Sequence, residues 1–482
     1  LEIGADGGLA GFELAARASA IPLDHRLRAG LETPELAGLY DRLHPRGTVG
    51  LEVRARGMPA PRSWRDVGLR LTFNGVDFAL QEFPYRFEGL AGEVSIEGGR
   101  LVVTRPLVAR NRGAALTITG SAELGDPFSQ AGVPPPPGEL DFEARVEDVP
   151  ADEELYQALP PESRQSWDQF EPSGKLALSL KLHRPRGAEE TELAAFVALQ
   201  GVRIVYVHFP YEVQGITGRM NLELARGGGR MTLSDLRGHH AGQTITGLGV
   251  VEWGARELLR IDLHADDLGM SEELRSALPS AARGLLDDFA FRGRARTEVV
   301  IHSTAQSGAE VKVDLDLLEG EVSYVRFPYP LSLAGGHFTA IGDHHVRFTD
   351  VVTRKARPDG TPERPRVVFN GGIVLEGAEQ LLEFHFDIEE LEVDQRLKRA
   401  LPPDLGQFVA SLGLEGTFQG ELAGSFSWPM LASPEASPGR LVYRASRVKA
   451  RDAVVDFGLQ LRRIGAAGQF VGGKDERGEH YF

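Results

Sequence analysis

Apolar and polar residues alternate along most of this chain. The clearest run is Leu382-Glu383-Phe384-His385-Phe386-Asp387-Ile388, which puts Leu382, Phe384, Phe386 and Ile388 on one face of a strand. Leu259, Ile261 and Leu263 alternate with Arg260, Asp262 and His264. Met220, Leu222 and Leu224 alternate with Asn221 and Glu223, and Val313, Leu315 and Leu317 with Lys312, Asp314 and Asp316. Leu116 and Ile118 alternate with Thr117 and Thr119. Glu97-Gly98-Gly99 and Gly227-Gly228-Gly229 supply hairpin chemistry between such runs. The pattern predicts an all-β-dominated chain of antiparallel meanders, each with one apolar and one polar face.

Two markers divide the chain into repeats. Phe-Pro-Tyr occurs at Phe83-Pro84-Tyr85, Phe209-Pro210-Tyr211 and Phe327-Pro328-Tyr329. A glycine follows each tyrosine seven residues on, at Gly92, Gly218 and Gly336. A short helix-like stretch ends in Leu-Pro at Leu159-Pro160, Leu278-Pro279 and Leu401-Pro402, and a glycine then opens a strand at Gly174, Gly293 and Gly416. Gly47 fits one step earlier. The shared period is roughly 120 residues, the scale of a supersecondary repeat unit or larger. The phase gives the end of a truncated repeat at 1–46, repeats at 47–173, 174–292 and 293–415, and the start of another at 416–482. Both chain ends are therefore expected to fall inside repeats.

Each repeat reads as about six strands and one short helix. Asp152-Glu153-Glu154-Leu155-Tyr156-Gln157-Ala158-Leu159 and Ser271-Glu272-Glu273-Leu274-Arg275-Ser276-Ala277-Leu278 read as such helices, the second with Ser271 as N-cap and acidic residues in its first turn, and the proline is expected to stop each helix. One small helix covers only part of an apolar sheet face. The rest is buried in closed sandwiches, or it lines an open trough filled by something else.

Composition narrows the partners. A net charge of −16 without a basic stripe argues against nucleic acid. Zero cysteines exclude disulfides and thiolate metal sites. No run of ~18 apolar residues is present. The 57 glycines fit many turns and bulges. No nucleophile elbow, His-Glu-x-x-His or Walker loop occurs, so no catalytic residue, cofactor or metal ligand is assigned and the chain is expected not to be an enzyme. His239-His240 and His344-His345 fall at different repeat positions, and adjacent strand residues face opposite ways, so solvated histidines are expected. Phe-Pro-Tyr with its glycine is expected to mark a strand end or bulge. Pro134-Pro135-Pro136-Pro137-Gly138 and the charged stretch 354–366 read as inserted loops.

The apolar strand, the Phe-Pro-Tyr with its glycine, the glycine-bounded strand Leu116-Thr117-Ile118-Thr119-Gly120 and the acidic Leu-Pro helix together resemble the AsmA-like proteins of the Gram-negative envelope. The resemblance covers essentially the whole chain. It implies an elongated curled sheet of repeating β-grooves that passes phospholipid acyl chains between inner and outer membranes. It further implies a periplasmic location, an inner-membrane anchor outside this sequence, and membrane-protein partners at the ends. On this reading the groove is lined by the fifteen alternating residues: Leu116, Ile118, Met220, Leu222, Leu224, Leu259, Ile261, Leu263, Val313, Leu315, Leu317, Leu382, Phe384, Phe386 and Ile388. Six strands at ~4.8 Å give about 30 Å per repeat, and about 100–120 Å for the segment if the strands form one sheet. The competing expectation is a scaffold of closed sandwiches that binds protein partners on its outer faces. A carbohydrate-active solenoid is disfavoured by only 4 tryptophans.

Overall fold

The computed structural model describes all residues except 1, 4–8, 32–33, 58–65, 82, 125–136, 160, 208, 226–227, 255–256, 279–282, 284–285, 305, 307–309, 326, 343–344, 355–359, 361–364, 377–378, 402, 412, 430–439, 457–459, 475–479 and 482. The chain forms two compact units. One comprises Leu1–His240 and Leu248–Glu257, the other Ala241–Gly247 and Leu258–Phe482.

The first unit is an antiparallel meander. Its strands are β1 (Glu2–Ile3), β2 (Leu9–Pro22), β3 (Thr48–Gly57), β4 (Val67–Phe78), β5 (Phe87–Glu97) and β6 (Arg100–Asn111). It continues through β7 (Ala114–Glu123), β8 (Leu140–Pro150), β9 (Ser173–Arg184), β10 (Glu192–Tyr206), β11 (Phe209–Ala225) and β12 (Gly228–His240). Each strand pairs with the next in sequence. Strand β13 (Gln243–Trp253) is divided between the units. The second unit repeats the pattern through β14 (Leu258–Gly269), β15 (Arg292–Thr304), β16 (Glu310–Tyr324), β17 (Phe327–Ile341) and β18 (His345–Thr353). Then follow β19 (Arg366–Glu376), β20 (Glu379–Glu392), β21 (Glu415–Pro429), β22 (Arg440–Asp456), β23 (Gln460–Lys474) and β24 (His480–Tyr481). Again each pairs with its successor. The sheets are open: among the described pairings no first strand meets a last one. Six strands, β3–β8, fall within residues 47–173, and β15–β20 fall within 293–415.

Short helices lie where the Leu-Pro pattern places them, α3 (Glu153–Ala158), α5 (Glu272–Ala277) and α6 (Gln395–Ala400), and a further one, α1 (His25–Gly30), stands ahead of β3 without that pattern. Each is capped by the side chain before it. Asp152 accepts from Glu154 and Leu155 N–H at 3.1 and 3.2 Å, Ser271 from Leu274 N–H at 3.1 Å, and Asp394 from Leu397 N–H at 2.8 Å. The same backbone bond then ties each cap to a strand-opening glycine. Leu23, Ala151, Met270 and Val393 donate N–H to the carbonyls of Gly47, Gly174, Gly293 and Gly416 at 2.9–3.0 Å.

One sequence expectation needs correction. The short helices do end before Leu159 and Leu401, but each repeat is not limited to one helix. A second helix starts on the next proline, α4 (Pro161–Phe170) and α7 (Pro403–Ser411), and α2 (Pro34–Leu43) precedes β3 in the same way. Proline at the first helical position gives up an N–H that has no partner there anyway, and its φ is already helical. The second helix clips the following hairpin: Gln81 and Val207 donate N–H to the carbonyls of Arg42 and Gln169 at 2.8 and 2.9 Å. Phe170 stacks on Tyr206 with centroids 5.0 Å apart.

Among the described residues, two buried clusters lie at helix-bearing positions, and a third, Leu317, Leu333 and Val351, lies on β16–β18. Tyr85, Leu155 and Ala158 belong to one cluster with Val76, Leu116, Val146 and Val149. Tyr329 packs with Val393, Leu397 and Ala400. Tyr85 and Tyr329 of the Phe-Pro-Tyr motifs are therefore anchors for the short helices α3 and α6. Burial, with Glu154 and Asp152 nearby, pushes the Tyr85 hydroxyl up to about 12. At Asp394, burial raises the carboxyl, but the Leu397 N–H and the Arg396 guanidinium outweigh it and hold it below the usual carboxylate range. A depressed folded-state value means the cap stabilises α6 above the unfolded aspartate pKa of about 3.9 and is lost as pH falls through the lower folded value. Asp394→Ala should therefore speed hydrogen exchange of the α6 amides about fivefold at neutral pH, the ~1 kcal/mol of a lost cap. The difference from wild type should vanish once acid has protonated the carboxyl.

Candidate functional site

Residues directly paired across an antiparallel sheet share a face, so register turns alternation along strands into rows across them. In the first unit Leu116, Val146, Leu178, Val197, Met220 and Leu233 pair in succession over β7–β12. The adjacent row is Ile118, Ala144, Leu180, Ala195, Leu222 and Met231. In the second unit Leu263, Val299, Val313, Ala340, Val346, Ile373, Leu382 and Phe426 pair over β14–β21. Beside it runs Ala265, Thr297, Leu315, Phe338, Phe348, Gly371, Phe384, Gly424 and Tyr443. Each unit thus carries an apolar face continuous over at least six strands.

Most of that face is half-buried. Ile118, Met220, Leu222, Leu259, Ile261, Leu263, Val313, Leu315, Leu382, Phe384, Phe386 and Ile388 all fall in this class. Leu116 and Leu317 are buried, at 5% and 6% exposure, within core clusters rather than on an accessible lining. The Leu224 side chain lies outside the described residues. A sandwich core would hold such residues below a few per cent exposure, as it does Leu333 at 1% and Val351 at 0%.

The opposite face is charged. Glu143 pairs with Lys181, Arg296 with Asp316, Asp316 with His337, and Glu298 with Asp314 in register. Its ion pairs include Arg17–Glu52 at 3.0 Å and Arg296–Asp266 at 3.6 Å, and His337 hydrogen-bonds through Nδ1 with Asp316 at 2.9 Å. Exposed pairs of this kind contribute little stability, about 0–1 kcal/mol each. They keep this face wet and leave the other as the face able to hold an apolar partner.

Bulges set the register of these rows. Gly92, Gly218 and Gly336 have φ of 147°, 147° and 151°, and the neighbouring backbone closes on all three. A Cβ at Gly336 would stand 2.9 Å from Val351 Cα, and one at Gly92 would stand 2.6 Å from the Pro106 carbonyl oxygen. The seven-residue spacing from tyrosine to glycine is thus the distance from helix anchor to bulge.

Several lining residues were not singled out by sequence pattern. Leu176, Leu178, Leu180 and Leu182 alternate as cleanly as any chosen run, and that signal was available. Phe338, Phe348 and Phe369 carried none, since their place in the row depends on pairing partners. His240 hydrogen-bonds through Nδ1 to the Glu212 carbonyl at 2.6 Å and stacks on Tyr211 at 4.0 Å, which is a structural role. His344, residues 134–136 and most of 354–366 lie outside the described residues. Among the described residues no three His, Asp or Glu side chains converge as a metal site, and no helix is long and apolar enough to cross a membrane. No protein-family model, curated protein or solved structure matches the chain.

Proposed function

We propose that the apolar faces of the two sheets are grooves for phospholipid acyl chains, and that the chain is part of an AsmA-like protein of the cell envelope that conducts lipid between inner and outer membranes. One observation supports this reading above the others. Register-aligned apolar rows cross six or more strands in each unit, are for the most part only half-buried, and back onto a charged face. An acyl chain in such a row gains about 0.8 kcal/mol per buried CH₂. The rows hold few polar atoms to fix it, so it can slide. Nothing in this reading asks for a reaction; the chain binds and passes its cargo on.

Native mass spectrometry of the purified chain tests the reading. Several phospholipids per chain are expected, removed by mild delipidation and regained from vesicles. A chain that stays lipid-free in the presence of phospholipid vesicles would sink the proposal and favour a scaffold that binds protein partners.

A further inference from the structure

The two grooves are lined differently. The two rows of the first unit are Leu, Ile, Val, Ala and Met. In the second unit, five rings form an unbroken chain across β17–β20. Phe338 lies 6.3 Å from Phe348, Phe348 5.8 Å from Phe369, Phe369 5.6 Å from Phe386, and Phe386 5.5 Å from Phe384. All five are half-buried. Two of them lie over glycines of the next strand. Phe348 Cε2 and Cζ are each 2.8 Å from where a Cβ would stand on Gly371, and Phe384 Cζ is 2.8 Å from that point on Gly424. Phe338, Phe348 and Phe369 also pack against the buried Leu317, Leu333 and Val351 at one side of the row.

We propose that these five phenylalanines make the second unit a holding station, where a bound acyl chain dwells longer than on the aliphatic rows. This rests on the lipid-groove reading above. Three physical terms favour it. Rings bring large apolar area per residue. They have only two side-chain torsions, and mutual packing already orders them, so little freedom is lost when a chain lands. The glycines beside Phe348 and Phe384 let these rings lie close to the sheet, where a Cβ would collide with them. Leucine and methionine rows lose more rotamer freedom for the same contact.

The test uses the full chain loaded with phosphatidylethanolamine carrying a mid-chain diazirine. Unlabelled vesicles then chase the probe, and photo-adducts are mapped by mass spectrometry at successive times. Adducts on β17–β20 should outlast those on β9–β12 by about fivefold, the scale of a favourable aromatic contact. Phe348→Leu/Phe369→Leu/Phe386→Leu keeps the lining apolar and should bring the two decay rates together. Equal decay in the wild-type chain overturns the holding station, and that measurement does not depend on the variant folding. Unequal decay that persists in a folded triple variant overturns the assignment to the rings. Absence of adducts from both units would instead count against the lipid-groove reading itself.

Discussion

Leu222→Asp or Phe384→Asp should leave the sheet folded and reduce bound phospholipid more than tenfold. Both side chains are only half-buried in the apolar rows, so a carboxylate there keeps part of its hydration in the lipid-free protein. An acyl chain laid across it would strip that hydration at a cost of several kcal/mol, more than the few methylene contacts it replaces can offset. Leu333→Asp is the contrast. Its position is 1% exposed beside Val351 and Leu317, and an unpaired charge there has no water to turn to. That variant should lose the fold of its repeat. Circular dichroism and native mass spectrometry on the same samples separate the two outcomes. If Leu222→Asp and Phe384→Asp unfold as Leu333→Asp does, the rows are a packed core and not a groove.

Gly336→Ala should destabilise the second unit by ~3 kcal/mol. The backbone there has φ of 151°, which side chains rarely adopt, and the new Cβ would meet Val351 Cα at 2.9 Å and Cγ2 at 2.8 Å. Strain and overpacking therefore add at one site. Gly342 makes the control: its φ is 56°, and a Cβ there meets nothing within 4 Å, so alanine should cost only the conformational strain of about 1 kcal/mol. Denaturant midpoints, with hydrogen exchange over β17 and β18, would rank the two. Equal effects would show that close approach of the neighbouring strand is not what the glycine serves.

Strand identity was legible because alternation is local: Leu382 to Ile388 announces its own two faces. The bulge glycine was legible because it recurs at a fixed distance from a tyrosine. The helix stop after Leu159 was legible, but the second helix from Pro161 was not, because proline forbids the interior of a helix yet favours its first turn, and only the chain after it decides. Leu116 and Leu317 share the alternation of their neighbours, yet they sit in closed clusters, since burial depends on what covers a strand and not on the strand itself. The row joining Phe338, Phe348 and Phe384 was hidden for a related reason. Its members are far apart in sequence, and their alignment is set by bulges that shift register, as between Phe348 and Val351. A single sequence carries the letters of such a row but not the offsets.

The six strands from Gly47 to the next helix, and again from Gly293, have one more consequence. Six is even. A meander that adds an even number of strands returns the chain to the side from which it started, so every helix pair emerges along the same margin of its sheet. Duplication or loss of a whole unit preserves that polarity, as does gain or loss of a single hairpin. One strand more or fewer would send the next helix to the opposite margin, away from the tyrosine built to receive it. Length can therefore be changed in whole modules without redesign of the joints, and parity acts as the rule that keeps each module interchangeable with the next.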